Sequence, residues 1–144
     1  MPVYFFIPDQ YAAWEDIDRN LMAKRASYSR KVLDDMWESG LLHIHEMATE
    51  KGPFGYLVLA RFDLGLKPFL HVMYCQVKPR KALREDQDWL KYAVEYLKET
   101  AAQVGCAEVR IVVAEDHPNP SWRWRLLRNG FSPTMTEMSI SVAA

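Results

Sequence analysis

Cysteine is nearly absent. Two residues, Cys75 and Cys106, stand in 144, and they form no disulfide framework pattern. Stability must then come from a packed core, and the expected setting is reduced and cytoplasmic. Glycine is also scarce, with six residues, and there is no low-complexity stretch or linker. No apolar run approaches the roughly 18 residues that span a bilayer, and the amino terminus lacks the basic-then-apolar order of a secretion signal. A membrane partner is therefore not expected. Neither sign of charge dominates, since 18 Lys and Arg face 19 Asp and Glu for a formal net charge of −1. That balance removes the electrostatic footprint of a dedicated nucleic-acid binder. What is present is 49% hydrophobic and 26% charged residues, the composition of one globular domain over residues 1–144.

Hydrophobic spacing divides the chain into elements. Val3 to Ile7 predicts a buried strand. Tyr11, Trp14, Ile17 and Leu21 recur at helical steps, and a second helix carrying Tyr28, Val32, Leu33 and Met36 starts near Ser27 or Ser29 and stops at Gly40. From Leu41 the period becomes two. Strands are predicted over Leu41 to Ala48, Tyr56 to Phe62 and Phe69 to Val77, with turns at Lys51-Gly52-Pro53 and Asp63-Leu64-Gly65. Trp89 to Val104 reads as the longest helix, closed by Gly105, and Glu108 to Val113 as a strand. A short helix covers Ser121 to Arg128, and Phe131 to Val142 reads as a last strand or hairpin. The order β-α-α-β-β-β-α-β-α-β gives an α/β (α+β) fold, a mixed sheet with helices on both faces.

That order resembles the GNAT fold of acetyl-CoA-dependent N-acetyltransferases. Two segments add to the likeness over essentially the whole chain. Val77-Lys78-Pro79 is similar to the V-x-P that precedes the family's cofactor loop. Asn119 to Phe131 is similar to the family's Asn, short amphipathic helix and Gly-Phe. The resemblance implies that the fourth and fifth strands splay, that the pantetheine arm pairs with backbone at Gln76 and Val77, and that Asn119 helps hold acetyl-CoA. It also implies a pyrophosphate on free amides at the next helix start, where anions are favoured. Here the sequence departs from the family's glycine-containing loop. Arg80 to Trp89 has no glycine, and Glu85, Asp86 and Asp88 stand near the helix start. Side chains of Arg80, Lys81 and Arg84 would then supply the positive charge that backbone otherwise provides.

At the reactive end, Leu126 occupies the place where family members often carry a proton-donating tyrosine. His71 is the conventional base on the fourth predicted strand, with Tyr74 and Cys75 beside it. The implied activity is acetyl transfer to a primary amine of a small molecule or protein. The alternative is a non-catalytic GNAT-like assembly or interaction protein, similar to ones encoded by tailed bacteriophages, binding a protein partner through an aromatic surface. Two further groupings have plainer readings. His43 and His45 share one strand face and could take part in a metal site, though a solvent-facing pair is the simpler outcome. Arg123-Trp124-Arg125 with Arg128 could meet a phosphate or a base, but also fits an ordinary amphipathic helix.

Overall fold

A computed structural model describes residues 2–21, 29–63, 67–77, 89–113 and 121–133. Among them the chain forms β1 (Tyr4–Phe6), α1 (Gln10–Leu21), α2 (Arg30–Glu38), β2 (His43–Thr49), β3 (Gly52–Phe62), β4 (Phe69–Val77), α3 (Trp89–Gln103), β5 (Glu108–Ile111) and α4 (Ser121–Arg128). The strands lie in the order β1-β2-β3-β4-β5. The first four are antiparallel neighbours, and β5 is parallel to β4, as a helical crossover through α3 requires.

Strand alternation distributes the core over two faces. Phe54, Leu57 and Leu59 of β3 join Leu70 and Val72 of β4 against Trp89, Leu90, Ala93, Val94 and Leu97 of α3 and Leu126 of α4. Tyr56, Val58 and Ala60 point the other way, against Ala13 and Ile17 of α1 and Leu33 of α2. Helices cover both faces, so the central strand is buried on both sides and reads as a continuous apolar run.

The α1–α2 layer is fixed by polar contacts at its ends. Asp9 caps α1 by accepting from the Ala12 amide at 2.9 Å. The Gln10 amide then grips one residue of β2 from both directions, donating to the Ile44 carbonyl at 2.9 Å and accepting from the Ile44 N–H at 2.8 Å. β1 pairs with β2 only as far as Phe6 opposite Glu46, so this side chain continues the pairing where the strand has ended. Ser29 caps α2, and Arg30 joins the two helices through Asp18 at 2.6 Å. Trp14 stacks on Trp37 with centroids 5.0 Å apart. At the far end of α2 the chain turns at Gly40, φ +72°, and Leu41 donates back to the Met36 carbonyl, the glycine stop its spacing predicts.

Three expectations need correction. β1 is an edge strand and not a buried one: Val3 is buried and Phe5 half-buried on Tyr96, while Tyr4 and Phe6 face solvent. With a partner on one side only, it buries alternate residues. The turn before β3 lies at Glu50 and Lys51, and Gly52 and Pro53 belong to the strand. Proline is accepted there because the register shifts between Met47 and Ala48, and Pro53 pairs with Ala48 at that irregularity. Phe131–Pro133 is not a strand, and the rest of the predicted last strand lies outside the described residues.

His45 lies on the α3 side of β2, where its Nδ1 meets the Tyr96 hydroxyl. His43 is exposed, and among the described residues no three His, Cys, Asp or Glu side chains form a metal-binding group. Burial, with a smaller contribution from His43, lowers the His45 pKa below 6.5. The unfolded chain therefore takes up a proton that the native chain refuses, and stability falls as the pH drops below about 6.5. We expect Tm to be lower at pH 5.5 than at 7.5. His45→Leu should narrow that gap, whereas an unchanged gap would remove His45 as its source.

Candidate active site

β4 is irregular at its midpoint. Val58 of β3 pairs with Tyr74 and Leu59 pairs with Val72, so Met73 has no partner across the ladder. A bulge of this kind turns two successive side chains to one face. Met73 and Tyr74 both pack towards α1 and α2, while Val72 and Cys75 both pack towards α3.

The same point ends the pairing with β5. Phe69, Leu70, His71 and Val72 pair with Glu108, Val109, Arg110 and Ile111, and there β5 stops. β4 continues for five more residues, Met73 to Val77, with no strand beside that edge among the described residues. The fourth and fifth strands therefore diverge. At the divergence lies a small apolar hollow of about 20 Å³, lined in part by Val72, Cys75, Trp89, Ile111, Trp122 and Leu126. Trp89 at the start of α3 stacks on Trp122 of α4 with centroids 6.1 Å apart, and the Arg125 guanidinium lies 5.4 Å from the Trp89 ring. The α4 patch is thus an amphipathic helix: Trp122 and Arg125 turn inwards, while Trp124 is 68% exposed.

The expected site residues divide among these features. Gln76 and Val77 pair with β3 at the end of β4 whose other edge, among the described residues, has no strand beside it. Arg80, Lys81, Arg84 and Asn119 lie outside the described residues. Leu126 does line the hollow, so a place that the resemblance gives to a proton donor carries hydrocarbon. Cys75 also lines it, and burial pushes its thiol up to about 12, with Arg125 opposing this weakly. His71 sits two residues before the bulge, opposite Arg110, with the Phe62 and Phe69 rings edge-on to it. Burial, then Arg110, lowers its pKa below 6.5, so the imidazole is neutral at pH 7.

A polar cluster on the α1 side of β4 escaped the sequence reading. Glu46, Tyr56 and Gln76 are register partners across β2, β3 and β4. The Tyr56 hydroxyl donates to Asp16 Oδ2 of α1 at 2.7 Å and lies within hydrogen-bond reach of Glu46. Burial and the two carboxylates push the Tyr56 pKa above its ordinary value. Tyr74, likewise raised to about 12 by burial, donates to Gln76 Oε1 at 3.4 Å. The available signal was Glu46, which stands two residues after Ile44 on the face that strand alternation assigns to the core.

No family model matches the chain, and no curated protein matches it. Solved structures do. An acetyltransferase from Trypanosoma brucei matches with TM-score 0.61 and 16% identity, over 98% of this chain and 100% of that one. The aminoglycoside N-acetyltransferase AAC(6')-Iy, in complex with a bisubstrate analog containing CoA, matches with TM-score 0.67 and 12% identity over the full length of both chains. A protein from Clostridium acetobutylicum, described as a predicted acetyltransferase and solved with acetyl-CoA, matches with TM-score 0.65 and 11% identity, over 97% and 96%. At these identities the likeness is one of architecture. With its mixed sheet, bulged fourth strand and diverging fifth, the chain has the fold of the GNAT acetyltransferases.

Proposed function

We propose that this protein is an N-acetyltransferase that moves an acetyl group from acetyl-CoA to a small-molecule primary amine. The observation that carries the reading is the divergence of β4 from β5 after Val72. Among the described residues it leaves one edge of β4 from Met73 to Val77 without a neighbouring strand, open to an extended ligand, beside an apolar hollow. A pantetheine arm has amides that can pair with that backbone and aliphatic segments that suit the apolar side chains at its edge. When bound, acetyl-CoA supplies an activated thioester. The chain's own contribution is to align the amine, exclude water and receive a proton. The structural neighbours that carry CoA or acetyl-CoA add support from the fold.

Calorimetry tests the reading directly. We expect micromolar binding of acetyl-CoA, weakened at least tenfold by Lys81→Glu or Arg84→Glu if those side chains neutralise the phosphates. Absence of binding at millimolar cofactor would overturn it and leave the assembly role as the alternative.

The Cys75 thiol bears on the choice between two routes. Burial holds the Cys75 thiol protonated at pH 7, so this reading gives it no part as an acetyl carrier. Transfer then occurs directly from thioester to amine. Initial-rate plots against both substrates should converge, and Cys75→Ala should retain at least a third of kcat. Parallel plots would indicate an acetyl-enzyme and contradict the direct route.

A further inference from the structure

At its bulge, β4 withholds a side chain from the α3 face. Val72 and Cys75 both pack towards α3, while the two residues between them, Met73 and Tyr74, both turn to α1 and α2. In a regular strand the next side chain on a face stands two residues on; here it stands three on. β5 does not fill the space, because its pairing with β4 ends at Val72 opposite Ile111. The hollow lies at this gap. Val72 and Leu126 in its wall are buried, Ile111 and Trp122 are half-buried, and it is partly open to solvent. Its lining is apolar, and its volume of about 20 Å³ has room for one group the size of a water or a methyl. A water there would find no hydrogen-bond partner, so a small hydrocarbon group suits it better.

Charge decides which end of an extended arm meets the hollow. Val77, at the far end of the open edge, is followed in sequence by Lys78, Arg80, Lys81 and Arg84. Phosphates are drawn to that end. An arm laid along Met73–Val77 therefore brings its uncharged thioester to the bulge, where the cleft closes at the Val72–Ile111 pair.

We propose that the hollow is the acyl pocket and that Leu126 sets its depth, so that the methyl of an acetyl group is admitted while propionyl and longer chains are rejected. The inference deepens the acetyltransferase reading and rests on it for the thioester. Leu126 then acts as a steric stop at the place where the resemblance puts a proton donor. Each further methylene has to push aside side chains packed at the density of a core. In a hydrophobic pocket one methylene changes selectivity by about 10- to 200-fold.

Calorimetry without an amine reads the pocket before any turnover. Acetyl-CoA should bind at least as tightly as CoA, propionyl-CoA about tenfold more weakly than acetyl-CoA, and butyryl-CoA about 100-fold more weakly. In methyl NMR, exchanging CoA for acetyl-CoA should shift the signals of Val72, Ile111 and Leu126. In turnover assays kcat/KM should fall in the same order along the acyl series. Leu126→Ala should bring propionyl-CoA to within threefold of acetyl-CoA, and the milder Ile111→Val should narrow the gap between them at least threefold. If butyryl-CoA binds as tightly as acetyl-CoA, or if the three methyl signals do not respond to the acetyl group, the pocket is wrong although the transferase reading stands. If none of these ligands binds, both fall. The wild-type series decides the matter even if a variant does not fold.

Discussion

Gly55→Ala should cost the protein about 3 kcal/mol of stability, a drop in Tm of about 10 °C, and Gly55→Val should prevent folding at 37 °C. Gly55 lies in β3 between Met47 of β2 and Val77 of β4. A Cβ built on it overlaps the Gln76 carbonyl oxygen and lies 2.9 Å from Met47 Cε. The methionine end can swing aside. The carbonyl belongs to a strand backbone and cannot move without pulling β4 away from β3. The substitution therefore acts on the segment from Met73 to Val77, which carries both the open edge and the buried Gln76. Urea unfolding of the alanine variant checks the first claim. Acetyl-CoA titration of the folded fraction checks the second, with at least tenfold weaker binding expected. A Gly55→Ala protein within 1 kcal/mol of wild type would mean that β4 yields there, and that the site is not held by its pairing with β3.

Periodicity was sufficient wherever one element packs against one neighbour. The inward positions of α3 follow from helical spacing: Trp89, Leu90, Ala93, Val94, Leu97 and Ala101 are buried, whereas Val104, expected on the same face, lies past the helix end and is exposed. Gly40, Gly105 and Gly130 end their helices with positive φ, as their positions after apolar stripes predict. The divergence of the fourth and fifth strands was legible only through the resemblance. The bulge at Met73, where that pairing ends, has no sequence signal of its own. Phe69-Leu70-His71-Val72-Met73-Tyr74-Cys75-Gln76-Val77 is almost uniformly apolar, and a one-residue change of phase within such a run leaves the pattern unaltered. The polar cluster at Tyr56 was hidden for another reason. Asp16, Glu46 and Tyr56 belong to three elements, and only the pairing of β2 with β3 and the crossing of α1 above them bring the side chains to one hydroxyl. Gln76 illustrates the same limit: its backbone role followed from its place on the strand, but the buried amide met by Tyr74 is a property of packing.

His71→Gln should lower kcat about 100-fold at pH 7 without changing acetyl-CoA affinity, the effect of removing a general base. The strand places His71 two residues before the bulge, with its side chain on the face that also carries Tyr74 and Gln76. The Tyr56–Gln76 pair lies four strand steps further along, about 13 Å at the rise of a strand, so a proton from there reaches the imidazole only through a chain of waters. The enclosing Phe62 and Phe69 rings disfavour the imidazolium, and Arg110 adds to this. The free base is thus ready at neutral pH, although a pKa lowered this way makes it a weaker acceptor than an exposed histidine. The wild-type kcat should rise with pH through a value below 6.5 and level off above it, and the glutamine variant should lose that limb. Glutamine keeps a polar side chain among the rings, and circular dichroism will report any loss of fold separately from loss of rate. A fall of less than threefold with the low-pH limb intact would transfer proton removal from His71 to the carboxylates at Tyr56. Glu46→Gln and Asp16→Asn would then lower kcat.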